Sequence, residues 1–316
     1  MPYYVDSSRV FFIDIQQNKI VRLADGKRPR FISNATRIIY LAGANVCTIG
    51  IDSTNNSLIG TLPEANAYLE LSSDRQLALT WTNLNNQSDI FKIDPSSGTI
   101  VNITNSTDRS EYNPYFYANN SRIIYTEAIY NNNSKTYNRL ALSSIDLNGQ
   151  NYQKVTADSV FYWFIGSTSN DTRLVVYSSQ SNSDSSLTTI AILDAQNYSL
   201  IDTIKLRNID LGGSLTVTND MKLLFQTSNS NLFKLDLQTK LLEPIYSGYS
   251  SYLYKYSNKK DKAIVLSGHG FALIDLVTGT SKMYFSEQTN GDFSDFDFSL
   301  DDRFIVTVQR TSTMVF

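Results

Sequence analysis

The chain has 316 residues, 41% of them hydrophobic and 12% aromatic, enough for one large domain or two modest ones. Charge is sparse at 18%, and 27 basic residues nearly balance 30 acidic ones, so there is no basic footprint for a nucleic-acid backbone. Cys47 and His269 are the only residues of their kinds, which excludes a disulfide framework and any zinc site of the usual Cys/His type.

Taken in order, the chain repeats one strand pair that ends its first strand in an Ile-Asp or Leu-Asp step. It reads VFFIDIQQNKIVRL from Val10, CTIGIDSTNNSLIGTL from Cys47 and IFKIDPSSGTIVNIT from Ile90. LSSIDLNGQNYQKVT from Leu142, IAILDAQNYSLIDTI from Ile190, LFKLDLQTKLLEPI from Leu232 and FALIDLVTGTSKMYF from Phe271 follow. The aspartates Asp14, Asp52, Asp94, Asp146, Asp194, Asp236 and Asp275 are 38, 42, 52, 48, 42 and 39 residues apart, the period of a propeller blade. An aspartate there accepts hydrogen bonds from amides just beyond it and holds the turn between two strands. That role explains all seven better than seven ligands or catalysts would.

A second hairpin alternates with the first: an aromatic or aliphatic strand, a tight polar turn and an apolar strand. RFISNATRIIYL, YFYANNSRIIYT, LTVTNDMKLLFQT and FDFSLDDRFIVTVQ are examples among seven. Runs of four to seven β-branched and aromatic residues bounded by Asn, Ser, Gly and Pro are strands. Within the stretch Asp89–Glu127, which carries one copy of each hairpin, no run repeats apolar residues at helical spacing for eleven residues. The expectation is an all-β, seven-bladed β-propeller of four-stranded antiparallel blades, a single domain over residues 1–316. The chain opens with the first hairpin and closes with the second, so N- and C-terminal strands share one blade and no sheet edge is left open. Pro2–Val5 and Thr313–Phe316 each look like a spare strand, which keeps an eight-bladed or truncated arrangement as the alternative. YNNNSKTY at 130–137 and SSQSNSDSS at 178–186 read as surface loops, because their polarity supports no core.

The order of Ile-Asp, a Gly or Asn turn, a strand ending in Ile-Thr, a polar loop and an aromatic-Ser-X-Asp turn resembles the TolB-like repeat. Asn113-Pro114-Tyr115-Phe116 stands where that family places its Pro-X-Phe/Trp, and Phe298-Ser299-Leu300-Asp301-Asp302-Arg303 resembles its Ser-Pro-Asp-Gly-Lys turn, without the proline and glycine. The likeness spans nearly the whole chain and is structural. It implies a protein-interaction platform, or a gating domain before a hydrolase that this chain lacks. The WD40 repeat is not matched, since its Gly-His and Trp-Asp pairs are absent.

Chemistry-bearing motifs are few. Gly248-Tyr249-Ser250-Ser251-Tyr252 fails the last position of a nucleophile elbow, and no phosphate-cradling glycine loop occurs. His269 lies between Gly268 and Gly270, which reads as a turn. In GDFSDFDFS, strand alternation sends Asp295, Asp297 and Ser299 to one face, where the two carboxylates suit a channel-bound hard cation such as Ca2+. Tyr249, Tyr252, Tyr254 and Trp163 are the candidate binding aromatics, flat contact area at low entropic cost.

The favoured reading is a non-catalytic scaffold that binds a protein partner, or a glycan, through one face of the disc. The alternatives are an enzyme with a cation-assisted site at Asp295 and Asp297, a hydrolase or lyase, and a structural part of a larger polypeptide. Asn-X-Ser/Thr sequons at Asn34, Asn55, Asn86, Asn102, Asn105, Asn119, Asn132, Asn170 and Asn197 only slightly exceed the roughly six that composition gives by chance. Together with a surface rich in uncharged polar residues they favour an extracytoplasmic place. MPYYVDSSRVFF, without a basic n-region or long apolar h-region, favours the cytoplasm if Met1 is the native start. No apolar run is long enough to span a bilayer as a helix.

Overall fold

The computed structural model of the chain describes residues 3–33, 35–65, 68–84, 87–131, 136–157, 162–168, 171–182, 185–209, 211–227, 231–246, 253–267, 270–284 and 291–315. Every regular element among them is a β-strand, and the strands form seven four-stranded antiparallel sheets. Two compact units divide the chain.

The first unit comprises Met1–Leu69, Pro95–Thr99 and Ile245–Phe316. One of its sheets joins the chain ends: β1 (Tyr3–Asp14), β2 (Lys19–Asp25), β27 (Gly291–Phe298) and β28 (Phe304–Val315), in the order β2-β1-β28-β27. The stretches that look like spare strands are the far ends of β1 and β28, which pair with each other from Tyr3↔Val315 to Asp14↔Phe304. The second sheet runs β3 (Lys27–Ile32), β4 (Arg37–Ala42), β5 (Asn45–Gly50), β6 (Ser57–Thr61). The third runs β23 (Leu253–Tyr256), β24 (Lys262–Ser267), β25 (Gly270–Asp275), β26 (Ser281–Tyr284).

The second unit comprises Glu70–Asp94 and Ile100–Pro244. Its sheets are β7 (Glu70–Leu71), β8 (Ala78–Leu84), β9 (Gln87–Asp94) and β10 (Thr99–Asn102); β11 (Arg109–Tyr117), β12 (Arg122–Asn131), β13 (Thr136–Asp146) and β14 (Gln153–Lys154); β15 (Trp163–Ser167), β16 (Arg173–Asn182), β17 (Ser185–Asp194) and β18 (Leu200–Arg207); and β19 (Leu211–Val217), β20 (Lys222–Thr227), β21 (Leu232–Asp236) and β22 (Leu242–Tyr246). The fold is a seven-bladed β-propeller whose N- and C-terminal strands share one blade.

Burial explains why each strand has its composition. Second strands such as RIIYLA in β4 and KLLFQT in β20 are buried at four consecutive positions, so both faces are out of water and the strands are apolar along most of their length. Fourth strands such as LIDTIKLR in β18 face solvent on one side and alternate. Cores lie between adjacent blades. In the second unit, Ile90, Ile123, Tyr125 and Ile145 form one, and Ile190, Leu223, Phe225 and Leu235 another. In the first, Phe271, Phe293, Phe296 and Phe298 form a cluster in which the ring centroids of Phe293 and Phe296 lie 5.5 and 4.8 Å from that of Phe271, each fully buried ring contributing about 2–3 kcal/mol by burial alone.

The repeated aspartates hold turns. Asp14, Asp146, Asp194, Asp236 and Asp275 each accept two backbone amides, and Asp52 accepts one, at 2.8–3.3 Å. The hairpin turns that lack the family's proline and glycine keep its geometry: Ser299 Oγ donates to Asp301 and accepts the Phe304 amide, as Ser72 Oγ does with Asp74 and Leu77. The missing glycine is replaced by residues forced to positive φ, among them Arg75, Met221 and Asp302 at 58–60°.

In the two stretches expected to be loops, 130–137 and 178–186, the described residues are strand. β12 and β13 pair as far as Asn131↔Thr136, and β16 and β17 as far as Asn182↔Ser185. Their polar residues need no core, because the hairpin ladder satisfies the backbone on its own.

Candidate functional site

Sequence alternation in β27 is interrupted. A bulge between Ser294 and Asp297 shifts the register against β28, and Asp295 takes φ +54°. The extra residue lets Phe293, Phe296 and Phe298 all enter one core, and it turns Asp295 toward β3. Both carboxylates are 2% exposed. Asp295 pairs with the Arg28 guanidinium and, at 3.6 Å, with Arg310. Asp297 Oδ2 accepts the Phe31 amide at 3.0 Å. Arg28 and Arg30 lie 5.2 and 5.5 Å from the Tyr68 ring, and Arg30 donates to the carbonyls of Leu69 and Pro29.

The arrangement is a polar clasp between β27 and β3. A hard cation takes six to eight oxygens, whereas here Asp295 carries guanidinium donors and Asp297 an amide donor. Among the described residues, no three or more His, Cys, Asp or Glu side chains are grouped to hold a metal ion.

A second cluster of carboxylates, in the other unit, is not apparent from sequence. Glu111 on β11 lies directly opposite Glu127 on β12, and they are 1% and 2% exposed; Asp89 on β9 is 3% exposed. Glu127 Oε2 accepts the Tyr152 hydroxyl at 3.0 Å and lies 3.4 Å from Arg109. Asp89 accepts from the Asn102 amide at 2.7 Å. Glu111 Oε2 has no hydrogen-bond partner. Burial, opposed by hydrogen bonding from Ser106 and reinforced by the charge of Asp89, pushes the Glu111 carboxyl up to about 8. The signal that could have found this cluster is a single Glu inside each of two aromatic-rich strands, RSEYNPYFY and RIIYTEAIYN.

Of the candidate aromatics, Trp163 opens β15 and is 41% exposed. Tyr254 falls in β23 by its backbone, and Tyr249 and Tyr252 lie outside the described residues, as does His269. Cys47 is half-buried at the edge of a core, and burial raises its thiol above the ordinary range. Of the sequon asparagines, Asn55, Asn105, Asn119 and Asn197 are exposed. Asn102 is half-buried with its amide on Asp89, and Asn34, Asn86, Asn132 and Asn170 lie outside the described residues.

With fold and site in view, the class of protein is a seven-bladed β-propeller. No protein-family model matches the sequence, and no curated protein matches it. Solved structures share the fold. An oligogalacturonate lyase in complex with manganese has a TM-score of 0.68 at 9% identity, over 98% of this chain and 97% of that one. The oligogalacturonate lyase of Vibrio parahaemolyticus has a TM-score of 0.68 at 10% identity, covering 98% of both chains. A putative TolB from Agrobacterium tumefaciens has a TM-score of 0.51 at 11% identity, over 97% of this chain and 99% of that one.

Proposed function

We propose that the chain is a non-catalytic binding propeller that presents a surface, with Trp163 as one contact residue, to a protein partner. The observation that carries this reading is the use made of its carboxylates. The turn aspartates are engaged by backbone amides, and Asp295 and Asp297, the acids best placed by sequence for chemistry, are engaged by Arg28, Arg310 and the Phe31 amide. Side chains committed in this way position blades. They are not poised to exchange protons or hold an ion. A half-exposed tryptophan on a first strand is the kind of rigid aromatic anchor that dominates protein interfaces.

A second reading is favoured by one specific observation, that oligogalacturonate lyases share the fold along their whole length. It makes the chain a glycan-cleaving enzyme in which Arg28 and Arg310 release Asp295 to a cation. One experiment separates the two. The purified protein is incubated with oligogalacturonate and other acidic glycans, with and without Mn2+ or Ca2+, beside Asp295→Asn and Asp297→Asn. The binding reading expects no product with any of them. Turnover that both substitutions abolish while the melting transition persists establishes the enzyme instead.

A further inference from the structure

One blade of the second unit has a short first strand. β7 contributes only Glu70 and Leu71, which pair with Leu79 and Ala78, while β8 runs on to Leu84. The first strands β11 and β27 have nine and eight residues. Just before β7, the Leu69 carbonyl accepts Arg30 Nε at 3.1 Å instead of a strand amide. Beyond Leu79, β8 is therefore paired on one side only, by β9.

Which backbone groups this leaves open follows from the ladder. Ser72 donates its amide to the Leu77 carbonyl at 3.0 Å, so the backbone groups of Leu77 face the first-strand side, and by the two-residue period so do those of Leu79, Trp81 and Asn83. The other side of β8 agrees. Ile90, opposite Trp81, turns its backbone away from β8: its carbonyl accepts the Ile103 amide and its amide donates to Thr104 Oγ1. Trp81 and Asn83 thus present N–H and C=O groups that have no partner among the described residues. Asn83 is exposed and Trp81 half-buried, so the edge is open to a ligand.

Side chains on the same stretch are unpartnered too. Thr80 Oγ1, Trp81 Nε1 and Thr82 Oγ1 are buried without a hydrogen bond, and Thr80 and Thr82, 0% and 2% exposed, share one face of β8. N–H and C=O groups repeating along a strand edge match one class of ligand, an extended polypeptide, and threonines on a strand pair with Thr or Ser on its neighbour. We infer that this edge of β8 takes up an extended segment of a protein partner as an added antiparallel strand, with Thr or Ser side chains set beside Thr80 and Thr82. The inference rests on the protein-binding reading only in taking the occupant to be a partner's segment. Its test uses neither Trp163 nor the natural partner.

The test is a titration of the full chain with the peptide acetyl-Lys-Thr-Val-Thr-Val-Thr-Lys-amide, read by hydrogen exchange at single amides. In the free chain, Trp81 and Asn83 should exchange at least about tenfold faster than Thr80 and Thr82, whose amides face β9. The peptide should slow Trp81 and Asn83 saturably, with a dissociation constant below about 1 mM. N-methylation of its valine amides, which face Trp81 and Asn83, should abolish binding; N-methylation of its threonine amides should not. Asn83→Pro removes one edge donor and no ladder bond, and should weaken binding at least about tenfold, whereas Asn83→Ala, which loses only the side-chain bond to Ser88, should leave it intact. If Asn83→Pro lowers the melting temperature, the two methylated peptides decide. Trp81 and Asn83 amides already protected in the free chain would overturn the inference, as would equal binding of the methylated peptides or no saturable effect up to roughly 5 mM. Self-association of the free chain that Asn83→Pro abolishes would also overturn it, in favour of a second copy as the occupant.

Discussion

Replacing Glu111 with Gln should stabilise the protein at neutral pH and leave it unchanged in acid. Glu111 is 1% exposed, faces Glu127 across the β11–β12 register, feels Asp89, and has one carboxylate oxygen without a partner. Its carboxyl is pushed from 4.5 up to about 8. Below pH 4.5 both folded and unfolded chains hold the proton, so the residue has no pH-linked effect. Between pH 4.5 and about 8 the unfolded chain has released its proton and the folded chain has not, so stability falls as pH rises and levels off above 8. At pH 7 the unfolded chain is about 2.5 pH units past its midpoint, which at about 1.4 kcal/mol per unit is a penalty of about 3 kcal/mol. Gln keeps the shape, has no charge to desolvate, and its amide can donate toward Glu127. For a chain of this length about 1.5 °C of melting temperature corresponds to 1 kcal/mol, so a gain of about 4 °C is expected at pH 7. Differential scanning calorimetry from pH 4 to 8.5 should show the two proteins together at the acid end and diverging as pH rises. Parallel curves across that window, or a variant less stable throughout, would refute the reasoning, because Glu111 would then be ionised and well paired.

Arg28→Ala removes a guanidinium partner from the buried Asp295 and should cost about 2–3 kcal/mol by chemical denaturation, most of it recovered in Arg28→Ala with Asp295→Asn; no recovery would mean that Arg28 acts through packing on Tyr68. Ala35→Gly relieves a left-handed residue at φ +62° and should raise stability by about 0.5–1 kcal/mol, read as a higher denaturant midpoint at constant slope. Asp236 is held below the ordinary carboxylate range by the amides of Thr239 and Gln238, so its turn bonds contribute above that range and are lost as pH falls through its lowered midpoint. Asp236→Ala should therefore melt lower than the native protein at pH 7, with the gap closing in acid.

The fold is legible because its cause is local and repeated. An aspartate that must accept amides at each turn leaves a mark every 38 to 52 residues, and a second strand buried on both faces must be apolar along most of its length. The site is less legible because its causes are tertiary. The bulge at Asp295 breaks an alternation that Asp-Phe-Asp-Phe presents as intact, and no residue type there announces positive φ. Glu111 and Glu127 are sixteen apart in sequence and meet only through strand register. The polar stretches after Tyr130 and Ser178 mislead because strand pairing, unlike core packing, asks nothing of side-chain polarity.

The central claim, a binding propeller, is tested most directly by native mass spectrometry of the protein isolated from its natural source. The account expects a stoichiometric protein companion that is lost when Trp163→Ala replaces the native chain and the fold is kept. A bare chain carrying one divalent metal ion and no companion, with the same ion and stoichiometry in Trp163→Ala, would contradict it.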